Sequence, residues 1–193
     1  MTTDKAAIRR ELLAARGAMS PFVLSQSIGA LAEWMYALPV DLAEGDTVAA
    51  YVATRREPGG VAMLDALLDR GLRVLLPIVP EGDPTRLQWG VYAGETELEN
   101  GRWNLQEPRG HRLDPDTIFQ AKLILVPAVA VDRQGNRLGR GAGYYDRTLA
   151  EVEAPIVAVV HDDELVETEL PHEPTDAPVD WVLTPGDGFV RVG

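Results

Sequence analysis

The sequence predicts a three-layer α/β domain with a mostly parallel sheet and an N-terminal pair of helices packed on one side. Strand, helix and strand patterns follow one another over residues 47–79, as in a right-handed parallel crossover. An unbroken apolar run over residues 123–131 suits a strand covered on both faces. With 193 residues, 46% of them hydrophobic, the chain predicts one domain over residues 1–193 with a substantial core.

Composition disfavours several function classes. The formal charge of −12 argues against nucleic acid or an anionic membrane as a partner. No apolar run reaches the roughly 18 residues that a membrane helix needs, and no secretory signal is recognisable. The lack of cysteine excludes disulfides and a cysteine nucleophile. We expect a cytoplasmic monomer that binds neither membranes nor nucleic acid.

Two helices are predicted within residues 1–38. Asp4 can cap the first, which runs to about Arg16 and stops at Gly17. The second begins at Ser20 and Pro21 and continues to residue 38. Its core-facing side chains are predicted to be Val23, Ile28, Leu31, Trp34 and Met35.

Three basic residues share one face of the first helix. Lys5, Arg9 and Arg16 lie within about 40° of one another on a helical wheel. Lys5 opposes the helix dipole at a cost of roughly 0.3–1 kcal/mol, which a bound phosphate would reverse. From spacing alone, such residues are most often simply exposed to solvent.

The remaining elements alternate between strands and helices. They are a strand over residues 47–54, a helix over 61–70, a strand over 72–79, an edge strand over 85–92, the strand over 123–131, a helix over 144–152, and strands over 155–160 and 179–184. Arg55, Arg56 and Glu57 follow the first strand. Because ligands of α/β proteins bind outside the carboxyl ends of strands, Glu57 is better placed than an average loop acid.

A glycine- and arginine-rich loop follows the strand over residues 123–131. Its glycines, at positions 135, 139, 141 and 143, allow positive φ angles and a close backbone approach to a ligand. Arg137, Arg140 and the start of a helix near Gly143 add positive charge and N–H donors, so the loop predicts a phosphate cradle. It matches neither the Walker nor the dinucleotide fingerprint, and a solvated arginine loop is the alternative.

The segment VPAVAVDRQGNRLGRGAGYYDRTL resembles the distinctive segment of the 5-formyltetrahydrofolate cyclo-ligase family, also called 5,10-methenyltetrahydrofolate synthetases. The resemblance covers most of the chain. It implies ATP- and Mg²⁺-dependent cyclisation of 5-formyltetrahydrofolate to 5,10-methenyltetrahydrofolate, with release of ADP and phosphate, through an iminium phosphate. The chain departs from the family pattern at Val131 and Ala142. It also has Glu164 where the family often has glutamine, so we leave Glu164 out of the site.

The resemblance also implies the site residues. ATP would be bound by Lys5, Arg9, Arg137, Leu138, Gly139, Arg140, Gly141, Ala142, Gly143, Tyr144 and Tyr145. The reduced formyl-folate, with or without a polyglutamate tail, would contact Glu57, Trp103, Arg140 and Tyr144. Arg140 and Lys5 would act in catalysis, and Asp146 and Asp176 would hold Mg²⁺. On physical grounds, Trp103 could equally be a hydrophobic plug.

Two other function classes stay open. A sugar-phosphate isomerase or an acyl-CoA-handling enzyme could use the glycine loop only to bind phosphate, but would need a general base. A nucleotide- or folate-binding module would show saturable binding without phosphate release. Metal hydrolases are disfavoured because His111, His161 and His172 lack clustered ligand spacing, and serine hydrolases because no G-x-S-x-G motif is present.

Overall fold

The structure, a computed structural model, describes residues 4–54 and 56–193, so Arg55 lies outside the described residues. Its helices and strands, in chain order, are α1 (Lys5–Ala18), α2 (Pro21–Trp34), β1 (Thr47–Ala49), α3 (Val61–Asp69), β2 (Arg73–Ile78), β3 (Gln88–Val91), β4 (Leu98–Asn100), β5 (Gln106–Pro108), β6 (Ala121–Pro127), β7 (Ala130–Asp132), β8 (Arg137–Leu138), α4 (Tyr144–Leu149), β9 (Ile156–Val159), β10 (Leu165–Val166), β11 (Trp181–Thr184) and β12 (Gly188–Arg191). None of the described helices is both long and apolar enough to cross a membrane.

Seven strands form the central sheet, in the order β12-β11-β9-β6-β1-β2-β3. The five inner strands are parallel, whereas β3 and β12 pair antiparallel at the two edges. Val48 of β1, for example, lies between Val74 of β2 and Leu123 of β6. The predicted mostly parallel sheet and the edge position of β3 are confirmed.

Alternate side chains of the sheet pack into two separate cores, as expected for strands covered on both faces. On one face, Leu123 belongs to a cluster with Leu31 of α2 and Met63 of α3. On the other face, Ile124 belongs to a cluster with Leu149 of α4. Helices therefore flank the sheet on both sides, which confirms the predicted α/β class.

The first helix begins as predicted and ends later. Asp4 caps α1, since its side chain accepts a hydrogen bond from the backbone N–H of Ala6 at 2.9 Å. The predicted stop at Gly17 is wrong, because the helix continues through it to Ala18. A glycine inside a helix costs only about 1 kcal/mol, which tertiary packing outweighs. The apolar side of α1 packs on a third cluster, formed by Val129, Ala130, Leu138 and Leu170.

The second helix is shorter than predicted and is buried along a narrower stripe. It ends at Trp34, and its buried side chains are Ser27, Leu31 and the following Met35, four residues apart along one face. Val23 and Ile28 are 45% and 38% exposed, so their predicted core positions are wrong. Both residues flank the buried stripe and do not lie on it.

The apolar run over residues 123–131 forms two strands instead of one. β6 ends at Pro127, and β7 pairs with β8 and β10 in a separate three-stranded sheet. Val129 and Ala130 are buried in the cluster beneath α1. The run is therefore apolar because both strands are buried, and this burial hides the break between them.

Candidate active site

A cavity of about 960 Å³ lies beside the glycine-rich loop. Its lining includes most of the predicted nucleotide-binding residues, namely Lys5, Arg9, Arg137, Leu138, Gly139, Gly141 and Gly143. Both predicted metal ligands, Asp146 and Asp176, belong to the same lining. The described residues Arg140, Ala142, Tyr144 and Tyr145 do not belong to it. The fold thus unites α1, the loop, α4 and the segment before β11 around one cavity.

Lys5 lies at the start of α1 and pairs with two acids. Its Nζ donates to Asp176 Oδ2 at 2.6 Å and to Glu173 Oε1 at 3.0 Å. Burial opposes the charged form of Lys5, but the two carboxylates raise its pKa above the ordinary value. Burial likewise opposes ionisation of Asp176, but hydrogen bonds from Lys5 and from the Glu173 backbone N–H lower its pKa. Both groups are therefore charged at neutral pH.

Arg9 lies one turn further along α1 and holds the glycine-rich loop. Its Nε donates to the carbonyl oxygen of Gly139 at 2.6 Å. At the end of the loop, Gly143 has a φ angle of 71° and precedes α4. A Cβ atom at that position would lie 2.6 Å from Arg147 Nη1. The left-handed backbone conformation therefore favours glycine there, whereas the end of the Arg147 side chain could move to admit a Cβ atom.

Arg137 and Asp146 form a second ion pair in the cavity wall. Arg137 Nη2 donates to Asp146 Oδ1 at 2.7 Å, and the arginine side chain is only 3% exposed. Its guanidinium carbon lies 5.8 Å from the centre of the Tyr145 ring. The buried Nε of Arg137 has no hydrogen-bond partner among the described residues. The cavity wall thus contains a fixed cation, held by Asp146.

Asp146 and Asp176 suit a magnesium ion by their donor chemistry. Both are carboxylates in one cavity, and Mg²⁺ is typically held by one or two carboxylates together with phosphates and water. Within residues 4–54 and 56–193, no group of three His, Asp or Glu side chains could hold a metal ion by itself. The two carboxylates therefore fit a metal that arrives with phosphate ligands.

Glu57 and Arg140 meet outside the cavity lining. Arg140 Nε donates to Glu57 Oε1 at 2.8 Å, and the Thr54 backbone N–H and hydroxyl donate to Oε2 at 2.7 and 2.8 Å. The Glu57 side chain is 8% exposed, whereas that of Arg140 is 51% exposed. Burial and the negative charge of Glu57 raise the pKa of Tyr145. Tyr145 therefore lies near both Glu57 and the cavity cation Arg137.

Trp103 lies at the tip of the β4–β5 hairpin. Its ring centre is 6.0 Å from that of Tyr144, at an interplanar angle of 68°. The guanidinium carbon of Arg102 lies 4.4 Å from the centre of the same indole. Trp103 is 60% exposed, so the buried-plug alternative is wrong. Its φ angle of 55° is rare for a bulky residue, and such strain clusters at ligand sites.

Sequence reasoning missed a buried ion pair next to this region. Arg16 Nε and Nη2 donate to the two carboxylate oxygens of Glu164 at 2.6 and 2.8 Å. Arg16 Nη2 also donates to the carbonyl oxygen of Ala128 at 2.6 Å. Arg16 therefore anchors α1 beyond the end of β6 and does not extend the basic face of Lys5 and Arg9. The sequence did contain one sign of this pair, because Glu164 is a charged residue that closely follows a buried strand.

Comparisons with known proteins agree with this geometry. A family model described as the 5-formyltetrahydrofolate cyclo-ligase family matches residues 1–185. A 5-formyltetrahydrofolate cyclo-ligase of Mycolicibacterium smegmatis is 46% identical over 98% of this chain and 97% of its own length. The Escherichia coli K12 protein of that name is 33% identical over 72% of this chain and 78% of its own length.

Solved structures agree as well. The Aquifex aeolicus 5,10-methenyltetrahydrofolate synthetase superposes with a TM-score of 0.80 at 28% identity, covering 97% of this chain and 92% of that one. A Mycoplasma pneumoniae 5,10-methenyltetrahydrofolate synthetase shares the fold, with a TM-score of 0.71 at 21% identity over 93% of this chain and 97% of its own. From the family match and the identity with the curated relatives, this chain belongs to the 5-formyltetrahydrofolate cyclo-ligase family.

Proposed function

We propose that this chain cyclises 5-formyltetrahydrofolate to 5,10-methenyltetrahydrofolate with Mg²⁺ and ATP, releasing ADP and phosphate. Family membership indicates the cyclo-ligase activity. One observation supports the ATP-dependent part most strongly: Lys5, Arg9 and Arg137 share a cavity with two carboxylates beside a glycine-rich loop. Phosphoryl transfer requires this combination of positioning and charge neutralisation.

The proposed chemistry needs no protein nucleophile. A formamide is a poor electrophile, so its oxygen first attacks the γ-phosphorus of ATP and the bond to ADP breaks, giving an iminium phosphate. N10 of the folate then adds to the activated carbon and loses its proton, and phosphate leaves with the former formyl oxygen. The chain has no cysteine, and Ser20, Ser25 and Ser27 lie in or beside α2. The protein therefore has to bind, orient and neutralise charge.

In this proposal, the cavity residues act on the nucleotide. Lys5, Arg9 and Arg137 bind the phosphates through their positive charge, together with the N–H groups of the loop. Mg²⁺ held by Asp146 and Asp176 would supply further charge neutralisation. Those carboxylates pair with Arg137 and Lys5 in the structure, so a bound ion would free both cations for the phosphates.

The folate would occupy the neighbouring region. Glu57 would accept hydrogen bonds from the N–H groups of the pterin, and the exposed indole of Trp103 would stack on its flat ring system. Tyr144 is 6% exposed and meets that indole at 68°, so it would contact the folate only at the edge of the indole. Arg140 pairs with Glu57, and it directly follows Gly139, whose carbonyl oxygen accepts a hydrogen bond from Arg9. We assign Arg140 to the transferring phosphoryl group, next to both substrates.

The test is turnover of 5-formyltetrahydrofolate with Mg-ATP, followed by the absorbance of the methenyl product and by phosphate release. Product and phosphate should appear one for one and should require magnesium. Arg140→Ala should lower turnover by roughly 10³–10⁵ if Arg140 contacts the transferring group. Arg133→Ala is the matched control, because Arg133 forms an exposed pair with Glu167.

The alternatives predict different results. Saturable nucleotide binding without methenyl product would favour a binding module, and product formation without ATP would refute the phosphorylation step. Near-normal turnover of a folded Arg140→Ala variant would show that Arg140 is only a loop residue.

A further inference from the structure

The segment that carries Glu57 is fastened on both sides of that residue. The carbonyl oxygen of Arg56, just before Glu57, lies 3.0 Å from His161 Nε2. The carbonyl oxygen of Pro58, just after it, accepts a hydrogen bond from the Tyr51 hydroxyl. His161 and Tyr51 are only 5% and 2% exposed. Two buried rings therefore fix the peptide groups on either side of Glu57.

The hydrogen bonds of His161 determine which ring nitrogen carries the proton. A carbonyl oxygen can only accept, so Nε2 must donate its proton to Arg56. Nδ1 is then free to accept from the Ser27 hydroxyl, whose oxygen lies 3.4 Å away. The backbone N–H of His161 also donates to Glu164 Oε2 at 2.8 Å. Both ring nitrogens are engaged within the protein, so His161 can act on a substrate only through the residue it holds.

Tyr51 reaches the same segment from the end of β1. Glycine at position 59 leaves room for it, because a Cβ atom there would lie 3.3 Å from the Tyr51 hydroxyl oxygen. The side chain of Glu57 is itself held through Thr54 and Arg140. The backbone around Glu57 and its carboxylate are thus held by different residues. Such support keeps a ligand-binding side chain in one orientation.

We propose that His161 and Tyr51 are positioning residues that aim the Glu57 carboxylate at the folate. This inference rests on the proposed function, in which Glu57 contacts the pterin. Loss of either ring contact lets the 56–58 segment move, and the carboxylate then meets the pterin N–H groups with poorer geometry. The nucleotide would lie in the separate cavity, where Lys5, Arg9 and Arg137 bind its phosphates, so its binding should change little.

The test compares KM for 5-formyltetrahydrofolate with KM for Mg-ATP. His161→Leu and Tyr51→Phe should each raise KM for the folate about tenfold, the loss expected for one well-placed hydrogen bond, and leave KM for Mg-ATP within about twofold. His161→Gln keeps a donor and should recover much of the folate affinity. Tyr92→Phe is the matched control, because Tyr92 is also 2% exposed but donates to Asp65 of α3.

A double variant distinguishes an effect of His161 on the orientation of Glu57 from a general effect on the fold. If His161 acts through Glu57, His161→Leu should raise KM for the folate less than about twofold further in a Glu57→Gln background. An undiminished effect there, or a folate KM as unaffected as in Tyr92→Phe, would overturn the proposal. Tyr51→Phe alone decides if His161→Leu does not fold. Wild-type protein that yields no methenyl product would refute the proposed function, and this inference with it.

Discussion

The buried pair between Arg16 and Glu164 gives the sharpest stability prediction. The two side chains are 4% and 6% exposed and share two hydrogen bonds, and Arg16 Nη1 has no partner among the described residues. Two unit charges 4 Å apart interact by about 4 kcal/mol at an effective dielectric constant near 20. Glu164→Gln removes one charge and leaves the guanidinium buried, so it should lower the free energy of unfolding by about 3–5 kcal/mol.

Urea unfolding measures this loss, and a thermal scan should show a midpoint lower by roughly 6–20 °C for a chain of this length. Glu167→Gln is the matched control, because its pair with Arg133 has a similar N–O distance of 2.7 Å but is 44% and 76% exposed. The control should cost less than about 1 kcal/mol. Equal losses for the two variants would refute the reasoning. Arg16→Met combined with Glu164→Leu should recover only part of the stability, because the Ala128 carbonyl and the His161 backbone N–H lose their buried partners.

Three further predictions concern the candidate site. Gly143→Ala should lower the free energy of unfolding by at least about 1–2 kcal/mol, measured by thermal unfolding, because the backbone at this position is left-handed. The same variant should bind Mg-ATP more weakly in calorimetry. Gly29→Ala, inside α2, is the control and should raise the free energy of unfolding by about 0.4–1 kcal/mol. The pKa of Asp176 is lowered in the folded chain, so ionised Asp176 stabilises the folded state above the ordinary pKa of 3.8. This stabilisation is lost as the pH falls below that value. Asp176→Asn should therefore flatten the acid limb of a melting-temperature profile; an unchanged limb would contradict this. Trp103→Ala should weaken folate binding about tenfold, measured by titration, and leave the melting temperature nearly unchanged, because the indole is 60% exposed.

Local sequence patterns were enough to predict the glycine-rich loop and its neighbours. Glycine spacing and two arginines define a cradle without knowledge of distant contacts, and Arg137 and Gly143 line or border the cavity as expected. Lys5 was visible locally only as part of a basic helix face, and its place in the site, like that of Asp176, came from the family resemblance. They are 171 residues apart, and no local pattern shows that they meet.

Other features depend on packing that a single segment does not encode. Arg16 shares a helical face with Lys5 and Arg9, but seven residues of helix separate it from Arg9 by about 10 Å, which places it in a different environment. Arg140 was expected to contact both substrates, and its pair with Glu57, 83 residues away, is not encoded in the loop sequence. The break between β6 and β7 was hidden because both strands are apolar, and β12 was not predicted at all.

Contacts between distant parts of the chain close the cavity that we propose for the nucleotide. Lys5 reaches Asp176 across 171 residues, and Arg9 reaches Gly139 across 130. Such contacts require long loop closures, so they are expected to form late in folding. During synthesis α1 emerges before the segments that carry its partners, which follow 130 to 171 residues later. Nucleotide binding should therefore report that folding is complete, and a chain stopped before residue 176 should not acquire it.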